Sequence, residues 1–121
     1  RSSLQILFKI MSKVKRGTAG ELIVKAKALL NGFNVFENSN EDSKSDLILE
    51  KENRLYRVQV KLINPQGQLP VRKLTHSKTA HKQYHYTPQD VEYFAAVDLV
   101  TFDVYMVPIQ IVNKYTSCIT A

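Results

Sequence analysis

Three residues of this 121-residue chain have the types and spacing to do chemistry together: Asp46, Gln59 and Lys61. Residues 46–50 and 54–63 read as two strands, joined tightly at Glu52-Asn53, and the second alternates apolar with polar side chains from Tyr56 on. If those two residues are the centre of a hairpin loop, Lys51 faces Arg54. Counting outward from that pair brings Asp46 opposite Gln59, with Cβ atoms about 5 Å apart. Tyr56, Val58, Val60 and Leu62 then share one face, while Arg57, Gln59 and Lys61 share the other. A carboxylate, a carboxamide oxygen and an ammonium thus converge on one patch. Metal-assisted phosphodiester hydrolysis uses such a set: hard oxygens hold Mg²⁺, and a lysine orients water or steadies developing charge.

The elements that must hold this patch can be read on either side. From Thr18 the residues Ala19, Leu22, Ile23, Ala26, Leu29 and Leu30 follow the spacing of one helical face, with Thr18 as cap and Gly32 as stop. Residues 33–36 turn extended, and the polar run 37–43 is a loop. Residues 64–70, with two prolines and a glycine, must leave the sheet. The polar, basic stretch 71–90 carries a short helix around residues 79–86, and 93–100 and 104–109 form two more strands. The expected fold is mixed α/β: a sheet built on an antiparallel hairpin and covered by an N-terminal helix.

The totals fit one domain spanning residues 1–121, with one modest core. Met11 suits a natural start, which would make residues 1–10 a leader or a non-native remnant. Apolar residues make up 44% and charged residues 23%, an ordinary balance for a soluble globular protein, and a cytoplasmic location is expected. No apolar run reaches the roughly 20 residues that span a bilayer, so no membrane partner is expected. The single cysteine, Cys118, cannot form an intrachain disulfide and reads as an inert thiol.

The net charge of +6 favours a polyanionic partner. Lys9, Lys13, Lys15, Arg16, Lys25 and Lys27 crowd the N-terminal part against Glu21 alone. Arg72, Lys73, Lys78 and Lys82, with His76, His81 and His85, form a second basic stretch. Six of the eleven acids lie between Glu37 and Glu52, so two basic flanks surround an acidic centre. That suits a protein holding both phosphates and a metal, although two solvated faces would produce the same pattern.

The strings Ser45-Asp46 and Gln59-Val60-Lys61 resemble the core of the PD-(D/E)XK nuclease superfamily: an Asp at one strand, then (Asp/Glu)-x-Lys in the next. Gly17-Thr18-Ala19-Gly20-Glu21 is similar to the first helix of archaeal-type Holliday junction resolvases. Asp90-Val91-Glu92-Tyr93-Phe94-Ala95 and Val104-Tyr105-Met106-Val107-Pro108 are similar to later strands of that branch. Within it, the chain most resembles homing endonucleases encoded by cyanobacterial group I introns, over about residues 15 to 111.

The resemblance implies a restriction-endonuclease-like core and sequence-specific cleavage of both strands of duplex DNA. Mg²⁺ is the implied cofactor, with Mn²⁺ able to substitute. Asp46, Gln59, Lys61 and Glu21 form the implied catalytic set. Two departures stand out. Ser45 replaces the motif's proline, and Gln59 replaces its second acid, a substitution that the homing branch tolerates. A carboxamide brings no charge to a metal, so the Val60 backbone carbonyl, Glu21 and the scissile phosphate would complete the oxygen shell.

Each assignment has a plainer rival. Asp46 could open a strand and bond the preceding loop, and Gln59 and Lys61 could be a solvated strand face. Thr18 and Glu21 also form a T-x-x-E capping box, a role that excludes metal binding by Glu21 at the same instant. His81 and His85 would share a helical face, but no further ligand stands at zinc spacing, so DNA contact or plain solvent exposure suits them better. Lys15, Arg16, Arg72, Lys73, Lys78, Lys82, His81 and His85 are the candidates for DNA contact. Cutting both strands needs two active sites, hence at least a symmetric dimer, and a tetramer would supply surface for a long target. The competing functions are a Holliday junction resolvase and a catalytically inactive DNA-binding module.

Overall fold

The computed structural model describes residues 12–39, 45–71, 74–76, 81–83, 87–115 and 118–120. Its centre is a five-stranded mixed sheet in the order β1-β2-β3-β7-β8. These strands are β1 (Asn34–Glu37), β2 (Leu47–Lys51), β3 (Arg54–Leu62), β7 (Tyr93–Val97) and β8 (Val104–Pro108). Neighbours pair antiparallel except β3 and β7, which run parallel. A parallel pair needs a long crossover. Here it carries β4 (Gln68–Pro70), β5 (Leu74–His76) and β6 (His81–Gln83).

The hairpin arithmetic holds from Lys51 to Leu47 and stops there, so the expected Asp46–Gln59 pair does not form. Lys51 pairs with Arg54 and Leu47 with Val58. Glu52 and Asn53 have φ of 54° and 65°, the doubly left-handed geometry of a type I′ turn, which matches the twist of the flanking strands.

The helix α1 (Lys13–Leu30) differs from its sequence expectation in two ways. It begins five residues before Thr18, because Ser12 is the cap: its Oγ accepts the Lys15 N–H at 3.1 Å. Thr18 lies inside the helix and donates its hydroxyl to the Val14 carbonyl, so the capping box with Glu21 does not form. The buried stripe is Gly20, Val24 and Ala28, while Leu22, Leu29 and Leu30 are exposed. Small side chains let the helix backbone lie close to the sheet, and that contact prevails over the larger leucines. Gly32 follows the helix at φ +85°, the left-handed conformation that a glycine adopts without strain.

Two cores sandwich the sheet. Under α1, Val24 and Ala28 pack on Leu47, Leu49, Val58, Ala95 and Val97. On the other face Leu69, Val71, Val91, Phe94, Ile109 and Val112 form the second cluster. It is closed by the short helix α2 (Ile109–Val112) and by β4, which pairs with β9 (Cys118–Thr120). Residues 64–70 thus leave the main sheet as expected but regain a partner strand. Of the helix expected around residues 79–86, only His81–Gln83 are described, and they form strand β6, which pairs antiparallel with β5; the rest of that stretch lies outside the described residues. Among the described residues no helix is long and apolar enough to cross a membrane.

Candidate active site

The site forms where β2 ends. In an unbroken ladder the partner of Val60 would be Ser45, but the regular register stops at the Leu47–Val58 pair, one residue short of Asp46 and Gln59. The Asp46 N–H instead donates to the Val58 carbonyl at 2.9 Å. Its Oδ2 accepts the Val60 N–H at 3.0 Å. A side-chain oxygen has taken the place of a backbone one, so a β-bulge-like step holds the carboxylate against β3. In an extended strand the N–H and C=O of one residue lie along the same edge. The Val60 carbonyl is therefore directed to the same gap as the Asp46 carboxylate.

Val58 is fully buried under α1, so alternation sends Arg57, Gln59 and Lys61 to the opposite face. Lys61 stands with its Nζ 5.8 Å from the centre of the Phe94 ring, which belongs to the second core. The apolar floor beneath this ammonium keeps its stem on the sheet.

Glu21 reaches the site from α1. Gly20 is the reason it can: a Cβ there would lie 2.6 Å from Leu62 Cδ2, so the helix sits directly on β3 one residue before Glu21. The Glu21 carboxyl is held above its ordinary range, first by burial and then by the negative charge of Asp46, with the Lys25 ammonium pulling it down. Lys25 is itself paired with Glu37 at the end of β1.

The Asp46 and Glu21 carboxylates lie close enough for the charge of one to raise the other, the Val60 carbonyl faces the same gap, and Gln59 stands beside Val60 on β3, on the face away from α1. Such a set suits a hard divalent cation, and a cation would relieve the repulsion between the two acids. Among the described residues no three His, Cys, Asp or Glu side chains come together.

The DNA-contact candidates are distributed differently. Lys15 is exposed in the first turn of α1, and Arg16 lies half-buried one turn before Gly20. His81 and Lys82 fall on β6, opposite His76 and Thr75. Arg72, Lys73, Lys78 and His85 lie outside the described residues.

One cation of the catalytic face had no assigned role in the sequence reading. Arg57 sits two residues before Gln59 and donates from Nη2 to the Pro88 carbonyl at 3.2 Å. Its place in the Arg57-Gln59-Lys61 alternation was the available signal.

A mixed sheet with a carboxylate at a strand end, beside Gln-x-Lys on the next strand and under a Glu-bearing helix, defines a nuclease of the PD-(D/E)XK type. The sequence profile of the PD-(D/E)XK endonuclease family matches residues 11–121, and the chain belongs to that family. Nucleases of this kind bind DNA and typically use divalent metal ions. The fold is similar to that of a bacterial homing endonuclease, I-Ssp6803I, with a TM-score of 0.81 and 20% identity over 92% of this chain and 78% of that one. Comparison with curated protein sequences yields no match.

Proposed function

We propose that this nuclease is a sequence-specific homing endonuclease that uses Mg²⁺ to hydrolyse both strands of duplex DNA. The observation that carries the reading is the junction at the end of β2, where the Asp46 carboxylate is fixed 3.0 Å from the Val60 amide on the Gln59-x-Lys61 strand. The solved protein whose fold it shares, described as a bacterial homing endonuclease, supports the finer class.

In this reading Asp46 and Glu21 supply the charged metal-facing oxygens, and Gln59 and the Val60 carbonyl supply neutral ones. When bound, Mg²⁺ (or Mn²⁺) polarises the scissile phosphate and acidifies the attacking water. The Lys61 ammonium orients that water or steadies the charge developing on the phosphate. Gln59 adds only a dipole, so the DNA phosphate itself contributes to holding the metal.

Lys15, Arg16, Arg72, Lys73, Lys78, Lys82, His81 and His85 serve as phosphate and groove contacts, in keeping with the net charge of +6. Two copies are needed to cut two strands. The exposed leucines of α1, with Leu22 at 57%, Leu29 at 59% and Leu30 at 84% exposure, suit burial between subunits of such a dimer or tetramer.

The test is digestion of plasmid libraries with Mg²⁺, followed by sequencing of the ends. One recurrent site cut on both strands is the expected result. Cleavage of four-way junctions whatever their arm sequence would make the protein a resolvase instead. The neutral Gln59 favours one further reading, an inactive DNA-binding module. Selective binding without any nicking, in the parent and in Gln59→Glu alike, would establish it.

A further inference from the structure

Arg57 shares the β3 face with Gln59 and Lys61, about 6.6 Å along the strand from the first and about 13 Å from the second. Among the described residues no carboxylate pairs with its guanidinium. The Glu92 carboxylate, which meets the Arg57 backbone, is engaged otherwise: Oε2 pairs with Arg54 at 3.1 Å, and Oε1 accepts the Arg57 backbone N–H at 3.3 Å. The Asp90 carboxylate accepts the Thr87 amide and hydroxyl at 3.2 and 3.0 Å. Of the guanidinium donors, Nη2 alone is bonded among the described residues, to the Pro88 carbonyl at 3.2 Å. Nε is buried with no partner among the described residues.

A guanidinium partly withdrawn from water, with an unsatisfied donor and no carboxylate, carries a standing cost in the folded protein. A phosphate meeting the exposed Nη end would neutralise that charge, because its oxygens match the planar fork of an arginine. The position decides which phosphate. Arg57 is too far along the strand to share the scissile group with Lys61, yet it continues the same row. We infer that Arg57 binds the DNA backbone at a phosphate neighbouring the scissile one, setting the register of the strand across Asp46 and Lys61. This rests on the DNA-cleaving reading above and adds to it a contact that fixes where the strand lies. The Pro88 carbonyl steadies the guanidinium on one side and leaves the other for the anion.

The test is the salt dependence of duplex binding, without metal, for the parent, Arg57→Gln and Arg57→Lys. Loss of one phosphate contact should reduce the slope of log affinity against log salt by about 0.9, equally for target and unrelated sequences. Affinity should fall on the order of tenfold or more, and Arg57→Lys should restore the slope. The Arg57→Gln protein should melt no lower than the parent. In the parent, the Arg57 Nε–Hε NMR signal should shift when a short duplex is added, a readout independent of any variant.

An unchanged slope in Arg57→Gln, or an unmoved Nε–Hε signal while other signals shift, overturns the inference and leaves the nuclease reading intact. A lower melting temperature with an unchanged slope would make Arg57 a structural tie to the Thr87–Asp90 turn. A parent that binds no DNA at any salt would remove both readings.

Discussion

The Asp46 carboxylate and the Val60 amide are 3.0 Å apart, and the bond between them ends the β2–β3 ladder and fixes the site at once. Removing the charge of Asp46 should therefore be separable from removing the bond. Asp46→Asn keeps an acceptor for Val60, so its stability should stay within about 1 kcal/mol of the parent while cleavage falls on the order of a thousandfold. Asp46→Ala also leaves the Val60 N–H unpaired and should lose about 1–3 kcal/mol in addition. Both should still bind DNA. Denaturant melts and plasmid nicking assays check this, and full cleavage by Asp46→Asn would refute the site.

Gln59 supplies a dipole where the family motif supplies a charge. Without DNA, the parent should therefore hold Mg²⁺ or Mn²⁺ weakly, and Gln59→Glu should bind either ion more tightly. Isothermal titration decides the point. Identical affinities would mean that residue 59 does not face the metal.

Glu21 makes a pH-dependent prediction. Its carboxyl is raised by burial and by Asp46, so the folded state favours the protonated form. Such a group adds stability below the ordinary carboxylate value, about 4.3, and loses it as pH rises through the raised folded value. Metal-free Glu21→Gln should accordingly melt above the parent at pH 7, and the gap should close below about pH 4. Added Mg²⁺ should raise the melting temperature of the parent more than that of the variant. A variant that melts lower at pH 7 would show Glu21 serving the fold rather than the metal.

Gly20 sets how closely α1 approaches β3. The nearest obstacle to a new Cβ is Leu62 Cδ2 at 2.6 Å, the mobile end of a side chain, with Val60 Cγ1 next at 3.8 Å. Gly20→Ala should thus be tolerated, its gain of about 1 kcal/mol in helix propensity offsetting a small shift of Leu62. Gly20→Val adds bulk that Leu62 cannot clear and should cost about 1–3 kcal/mol. Thermal unfolding compares the two. Because the larger residue also lifts Glu21 from Asp46, cleavage should drop in Gly20→Val even well below its melting temperature.

Where local rules suffice, the sequence by itself determined the outcome. A two-residue loop at Glu52-Asn53 allows one register, and the period of two then assigns Gln59 and Lys61 to one face and Val58 to the other. That is why the strand carrying Gln59 and Lys61 was legible residue by residue. Tertiary structure decided whatever depended on a choice between comparable alternatives. Two stripes of α1 are apolar enough to be buried, and close backbone approach through Gly20 and Ala28 selected theirs over that of Leu22, Leu29 and Leu30. Ser12 and Thr18 are both competent caps, and Ser12 is the one used, its Oγ accepting the Lys15 N–H. The bond from Asp46 to Val60, the approach of Glu21 and the isolation of Arg57 join residues 14 to 35 positions apart in the chain or depend on acids engaged elsewhere. Those relationships come from packing, because no local preference of the chain encodes which distant group will be left facing which.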